Sequence, residues 1–312
     1  MMDRREFFKK AAAFGVTGAA ALLLNKGPGG RLFAEPAAGT GARKGADIIA
    51  VKGGSQFSRL DRALLELGGI GAFVRRGQTV VIKPNIGWAQ EPRIAANTSP
   101  ELVKRLIEQC LQAGAKKVWV FDHSCDYGPT AYKTSLIESY AKDAGATVVG
   151  AHNSSGYQKV PIPNADVLKE TEIFELVLEA DVFINVPVLK NHMGAGMTCA
   201  MKNLMGIVWD RSEFHRRGLD RCIADSCLYR KPDLNIVDAD RVMLSGGPRG
   251  YASSRYSEQN MLIASTDIVG IDAASAKTLG QEPERFGYIK GGEDRGLGIA
   301  DLSLHDIKRI AL

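Results

Sequence analysis

Cysteine is scarce in this 312-residue chain and poorly spaced for metal chemistry. The five residues, Cys110, Cys125, Cys199, Cys222 and Cys227, form no C-x-x-C pair. That excludes a ferredoxin-type run of cluster ligands. The odd count also leaves one thiol over in any disulfide scheme. Cys222 and Cys227 lie five apart on one predicted helix and face different ways, which argues against a mutual bridge. No G-x-x-x-x-G-K-[ST] segment is present, so a Walker A loop is excluded. A surplus of one charge is missing too. With residues 1–34 set aside, 34 basic and 33 acidic side chains remain, and the body carries no field suited to nucleic acid. Bilayer-length apolar runs are also lacking. Ala11–Leu24 has 14 residues, interrupted by Gly15, Thr17 and Gly18, where about 20 are needed to span.

What the N-terminus does contain is Asp3-Arg4-Arg5-Glu6-Phe7-Phe8-Lys9 ahead of that weakly apolar stretch. A paired arginine, two aromatics and a lysine before such a stretch form a twin-arginine export signal. The expectation is a signal over residues 1–34, a Gly/Ala/Pro-rich linker over 35–46 and a folded body over 47–312. The Tat translocon would then be a partner during export and the periplasm the destination. An uncleaved membrane anchor is the alternative. Because this route carries folded cargo, a cofactor loaded before export is expected with it.

The body alternates β-branched runs with helical periodicity. Strands are predicted at 47–51, 79–83, 117–121, 147–150 and 181–186, with helices at 57–67, 99–112, 132–142 and 172–178 between them. Ser99 and Pro100 supply an N-cap and a first helical residue. This rhythm predicts an α/β fold with a mostly parallel sheet and helices on both faces. The C-terminal part is mixed, with strands at 234–237 and 261–264 and an amphipathic helix over 268–279.

Ligands of open α/β sheets bind beyond the carboxyl ends of the strands. There the chain places Lys83 and Asn85, then Asp122, His123 and Cys125, then Lys190 and His192. Lys83 ends a strand before Pro84, where an ammonium suits a phosphate or carboxylate. Lys202 and Asn203 follow the glycine loop 194–196, one turn into a helix that Thr198 could cap. His192 is the expected acid or base, with Lys190 beside it as the second catalytic residue. Asp122, His123 and Cys125 are the metal candidates, although one short stretch cannot complete a coordination sphere. Asp238 ends a strand, and Asp267 and Asp272 open a helix, where capping competes with ligand binding.

Lys83-Pro84-Asn85, Asn185-x-Pro187-x-x-Lys190-x-His192 and Lys202-Asn203-x-x-Gly206 together resemble the family called DUF362, as do Val237-Asp238, Gly246-Gly247-Pro248-x-Gly250 and Asp267 with Asp272. The resemblance covers roughly residues 46–300. It implies that Lys83, Asn85, Lys190, His192, Lys202, Asn203, Asp238, Asp267 and Asp272 are family positions, without assigning their roles. It also implies iron–sulfur association, although the ferredoxin module appended in many members is missing here. Two functions stay open. One is an exported enzyme on a small anionic substrate, redox and cofactor-dependent in one form. The other is a non-catalytic ligand- or cofactor-binding maturation protein serving an exported redox complex.

Overall fold

The computed structural model describes residues 47–312, so the expected signal and linker lie outside the described residues. The chain runs β1 (Ile48–Lys52), α1 (Gln56–Glu66), β2 (Thr79–Pro84), α2 (Pro100–Gln112) and β3 (Lys117–Val120). Then come α3 (Gly128–Thr134), α4 (Ile137–Asp143), β4 (Thr147–Val148), β5 (Tyr157–Pro161) and β6 (Glu170–Phe174). Next are α5 (Glu175–Glu179), β7 (Val182–Val186), β8 (Val188–His192), β9 (Gly196–Thr198), α6 (Ala200–Asn203), α7 (Ser212–Arg217) and α8 (Leu219–Ser226). The rest comprises β10 (Leu234–Met243), β11 (Tyr256–Ser265), α9 (Ile268–Thr278), α10 (Gly287–Asp294) and β12 (Ile307–Ala311).

Eight strands line up as β12-β1-β11-β10-β7-β2-β3-β4, and β8 and β9 extend the sheet beside β10. Pairing is parallel from β10 through β7, β2 and β3 to β4, and between β1 and β12. Only β11 along that row runs antiparallel to both neighbours. The fold is therefore α/β with a mostly parallel sheet.

Strand alternation builds two apolar layers, one on each face. Val80, Ile82, Val118 and Val120 pack with Leu60 and Leu64 of α1 and Leu102, Val103, Leu106 and Ile107 of α2. Val81, Phe183, Val237 and Ile263 pack on the opposite face with Met201, Ile223, Val269, Ile271 and Ile289. Period two explains the split, because neighbouring residues of a strand point to opposite faces. Central strands covered on both sides are apolar throughout, as all five residues of β7 illustrate.

Three expectations are corrected, and one strand, β12, was not anticipated. The helix over 268–279 is not amphipathic. Ile268–Asp272, Ala273, Ser275 and Ala276 are all buried, because α9 lies between the sheet and α10. Residues 172–178 are a strand end followed by a short helix, since β6 pairs with β5 in a separate antiparallel hairpin. β12, with Lys308 and Arg309 interrupting its apolar residues, joins the sheet edge beside β1. Asp267 is likewise not a ligand residue. Its Oδ1 accepts from Val269 N at 2.9 Å and Gly270 N at 2.8 Å, and its Oδ2 accepts from Ile299 N at 2.9 Å. It caps α9 and pins the 299 loop. Asp267→Ala should therefore lower stability by about 1–2 kcal/mol. Urea denaturation should show an earlier midpoint at unchanged slope, and an unmoved midpoint would refute the capping role.

Candidate functional site

Strand pairing assembles the site. Lys83 of β2 sits opposite Asn185 of β7, and Asn185 opposite Asn235 of β10. A chain of amides links these strand ends. Asn235 Oδ1 accepts from Asn185 Nδ2 at 2.9 Å, and Asn185 Oδ1 accepts from Asn203 Nδ2 at 2.9 Å. Asn203 Oδ1 accepts in turn from Asn85 Nδ2 at 3.0 Å. Helix α6 is held in register by Asn185 Nδ2 donating to Ala200 O at 3.0 Å. Buried amides persist only when their donors and acceptors are matched, and this chain matches them in series.

Two buried lysines meet the chain with different partners. Lys83 Nζ lies 2.7 Å from Asp122 Oδ1 and donates to Pro84 O at 2.9 Å and Asn203 Oδ1 at 3.1 Å. Two neutral acceptors and one carboxylate at ion-pair distance surround the ammonium. Burial pushes the Lys83 pKa down and the Asp122 carboxylate opposes that. The ion pair argues for the charged form. Lys83 was expected to hold the ligand; its charge is instead spent on Asp122. Gly206 closes over the pair, and a Cβ there would come within 2.0 Å of Asp122 Oδ1 and 2.7 Å of Lys83 Nζ.

Lys190 has no carboxylate partner among the described residues. Its Nζ donates to Asn85 Oδ1 at 3.1 Å and to Ala96 O, at 1% exposure. Burial, with Lys202 and Lys83 nearby, pushes its pKa down to about 7. Lys202 is half-buried, and among the described residues its Nζ meets only Met205 Sδ at 3.6 Å. Burial, Arg211 and Lys83 push it down to about 8. The result is a basic crevice whose charge is only partly neutralised.

His192 neighbours the same lysines, but it is not the expected base. Its Nδ1 accepts from Gly194 N at 3.0 Å and Ala195 N at 3.1 Å. Burial and the cations Lys202 and Lys190 push its pKa down to about 3. The ring is therefore neutral with its proton on Nε2, and offers a hydrogen-bond donor rather than a proton acceptor.

The metal candidates are corrected as well. Asp122 Oδ2 accepts from Ile86 N at 2.6 Å, leaving its other oxygen to Lys83. His123 places Nδ1 2.9 Å from Val208 O, and its ring stacks on Trp209 at 5.0 Å between centroids. No group of three or more His, Cys, Asp or Glu side chains gathers for a metal among the described residues. A cysteine-held cluster does not fit either. Cys110, Cys199, Cys222 and Cys227 are buried, and no cysteine takes part in a group of three or more ligand-type side chains among the described residues.

Asp272 and Asp238 serve as braces rather than ligand residues. Asp272 Oδ1 accepts from Ala200 N at 2.6 Å and Oδ2 from Met201 N at 3.1 Å, although burial pushes its pKa up to about 7. It anchors the start of α6, and so places Lys202 and Asn203. Asp238 Oδ2 accepts from Ser99 N at 2.8 Å, which ties the start of α2 to β10, and burial pushes its pKa up to about 6.

Sequence reasoning missed Arg211 and Asn235. Arg211 donates to His123 O and Ser124 O, both at 2.8 Å, and reaches Cys125 Sγ at 3.5 Å. Only proximity in space reveals it. Asn235 carried a faint signal, an amide inside a strand, where Asn is disfavoured. A hollow of about 900 Å³ lined by Glu91, Pro92, Arg93, Pro129, Lys133 and Leu136 shares no residue with the basic crevice.

Residues 80–277 match the family described as a domain of unknown function, DUF362, and the chain belongs to that family. A "Thylakoid-associated protein" of Synechocystis sp. is 27% identical over 252 residues, covering 78% of this chain and 76% of that one. Among solved structures, the lactate racemase apoprotein from Thermoanaerobacterium thermosaccharolyticum is similar at a TM-score of 0.44 and 15% identity, over 69% of this chain. A protein from Thermotoga maritima is similar at a TM-score of 0.43 and 9% identity, over 72% of this chain. The chain spans 54% and 59% of those two proteins, respectively. No helix among the described residues is long and apolar enough to cross a membrane.

Cys125 is exposed at the crevice while the other four cysteines are buried. An aromatic disulfide reagent should label Cys125 alone in the native protein, and added sulfate should slow that labelling. Equal reactivity at several cysteines would contradict this packing.

Proposed function

We propose that the protein is an exported enzyme acting on a small anionic substrate held between Lys190 and Lys202. One observation carries the reading. Buried Lys190 and half-buried Lys202 lack any carboxylate partner among the described residues, so their protonated forms are costly without a counter-ion. An anion entering the crevice would supply the missing charge, and the His192 Nε2–H would supply a neutral donor. Export rests on the paired arginines at 4 and 5, and that motif alone supports a preloaded cofactor. No redox step is assigned to the crevice residues.

Sulfate, whose charge is constant near neutrality, serves as the probe. Lys190→Met and Lys202→Met should each weaken sulfate binding by about tenfold or more in calorimetry, the scale of one charge-assisted contact. Undiminished affinity in both variants would overturn the reading. The pH dependence has a definite sign. Protonated lysines attract the anion, and the pKa values lie at about 7 for Lys190 and about 8 for Lys202. Affinity should be greatest below pH 7 and fall steadily to pH 9. His192, at about 3, contributes no titration in that window.

A further inference from the structure

We propose that Lys190 is a covalent centre whose amine condenses with the carbonyl of a small 2-oxo carboxylate. The inference rests on the anion-site reading above and names a substrate class for it. Its basis is a contrast in charge partners. Lys83 Nζ donates to Pro84 O at 2.9 Å and Asn203 Oδ1 at 3.1 Å and also pairs with the Asp122 carboxylate at 2.7 Å, which favours an ammonium. Lys190 Nζ has two acceptors, Asn85 Oδ1 at 3.1 Å and Ala96 O, both uncharged. Two acceptors match the two N–H bonds of a neutral amine and leave its lone pair unengaged.

Both acceptors are fixed from behind. Asn85 Nδ2 is committed to Asn203 Oδ1 at 3.0 Å, so the Asn85 carbonyl oxygen faces Lys190. The Asn85 backbone is clamped by Thr98, whose Oγ1 accepts from Asn85 N at 2.8 Å and donates to Val186 O at 2.7 Å. The amine is thus preorganised as well as desolvated, the two conditions that make a lysine a nucleophile. Its depressed pKa agrees with this arrangement. Lys202 depresses that value further, and among the described residues its ammonium has no acceptor but a thioether sulfur. A molecule carrying a carboxylate next to a carbonyl matches both groups, with the carboxylate on Lys202 and the carbonyl carbon at Lys190.

The step balances without an oxidant or reductant. The Nζ lone pair forms a bond to the carbonyl carbon, and the carbonyl π electrons move to oxygen. A proton passes from nitrogen to that oxygen and gives a carbinolamine. A second proton from solvent allows the hydroxyl to leave as water, and an iminium joins Lys190 to the substrate.

Pyruvate with cyanoborohydride tests this on the full chain, with peptide mapping by mass spectrometry. The expected result is a carboxyethyl adduct on Lys190, formed at least about tenfold faster than on any exposed lysine, as lowered pKa and fixed position imply. Labelling should fall below pH 7 as the amine protonates. Lys190→Arg, which keeps the charge, should lose the adduct, and Lys202→Met should form it more slowly. Adducts spread over exposed lysines with none on Lys190 would overturn the proposal. Pyruvate binding in calorimetry without a Lys190 adduct would overturn the covalent step and leave the anion site standing. Binding of neither pyruvate nor sulfate would sink the anion site itself.

Discussion

A buried carboxylate holds the rim of the sheet. Asp122 follows β3 by two residues, and its oxygens take Lys83 Nζ at 2.7 Å and Ile86 N at 2.6 Å. Its backbone is clasped by Tyr132, whose hydroxyl donates to Asp122 O at 2.7 Å. The loop after β2, the end of β3 and helix α3 are thereby tied at one point. Removing one partner of such a pair would strand the other charge in an apolar interior, which costs about 3–5 kcal/mol. The bare backbone at Gly206 is what lets the 206 segment lie against the pair.

From that anchor the rest of the crevice follows in sequence. With Lys83 neutralised, Asn203 can bridge Lys83 and Asn85, and Asn85 can present its carbonyl oxygen to Lys190. Asp272 holds the start of α6, so Lys202 and Asn203 keep their places. One lysine is a structural cation and the next is left without a counter-charge. The difference comes from their partners, because the two side chains are chemically identical and both buried. Buried ionisable groups with displaced titration gather where chemistry is done, and this contrast singles out Lys190 within the cluster.

The layered α/β organisation was legible because local pattern and tertiary role agree there. The runs at 79–83 and 181–186 are strands with apolar residues on both faces, and a central parallel sheet demands that. Helix 268–279 was legible as a helix but not in its burial, since Asp267, Asp272 and Ser275 look solvent-facing until their partners are known. The site was half legible. Lys190, Lys202, Asn85 and Asn203 stood out as polar groups after strands and a glycine loop, and they do converge. His192 stood beside them, but its depressed basicity comes from Gly194 N, Ala195 N and neighbouring lysines, which no spacing rule displays. Arg211, in a loop distant in the chain, had no local mark at all.

Taken alone, the order of residues determines the strand–helix alternation, the balanced charge of the body, the lack of cluster-type cysteine spacing and the segments that carry polar side chains past strand ends. Those properties depend on neighbours a few positions apart, where propensity and periodicity act. Tertiary structure decides which charges are cancelled. Lys83 finds Asp122 across 39 residues and Lys190 finds only neutral oxygens among the described residues, and the reactivity of an ammonium is set by such long-range partners and by the water they exclude.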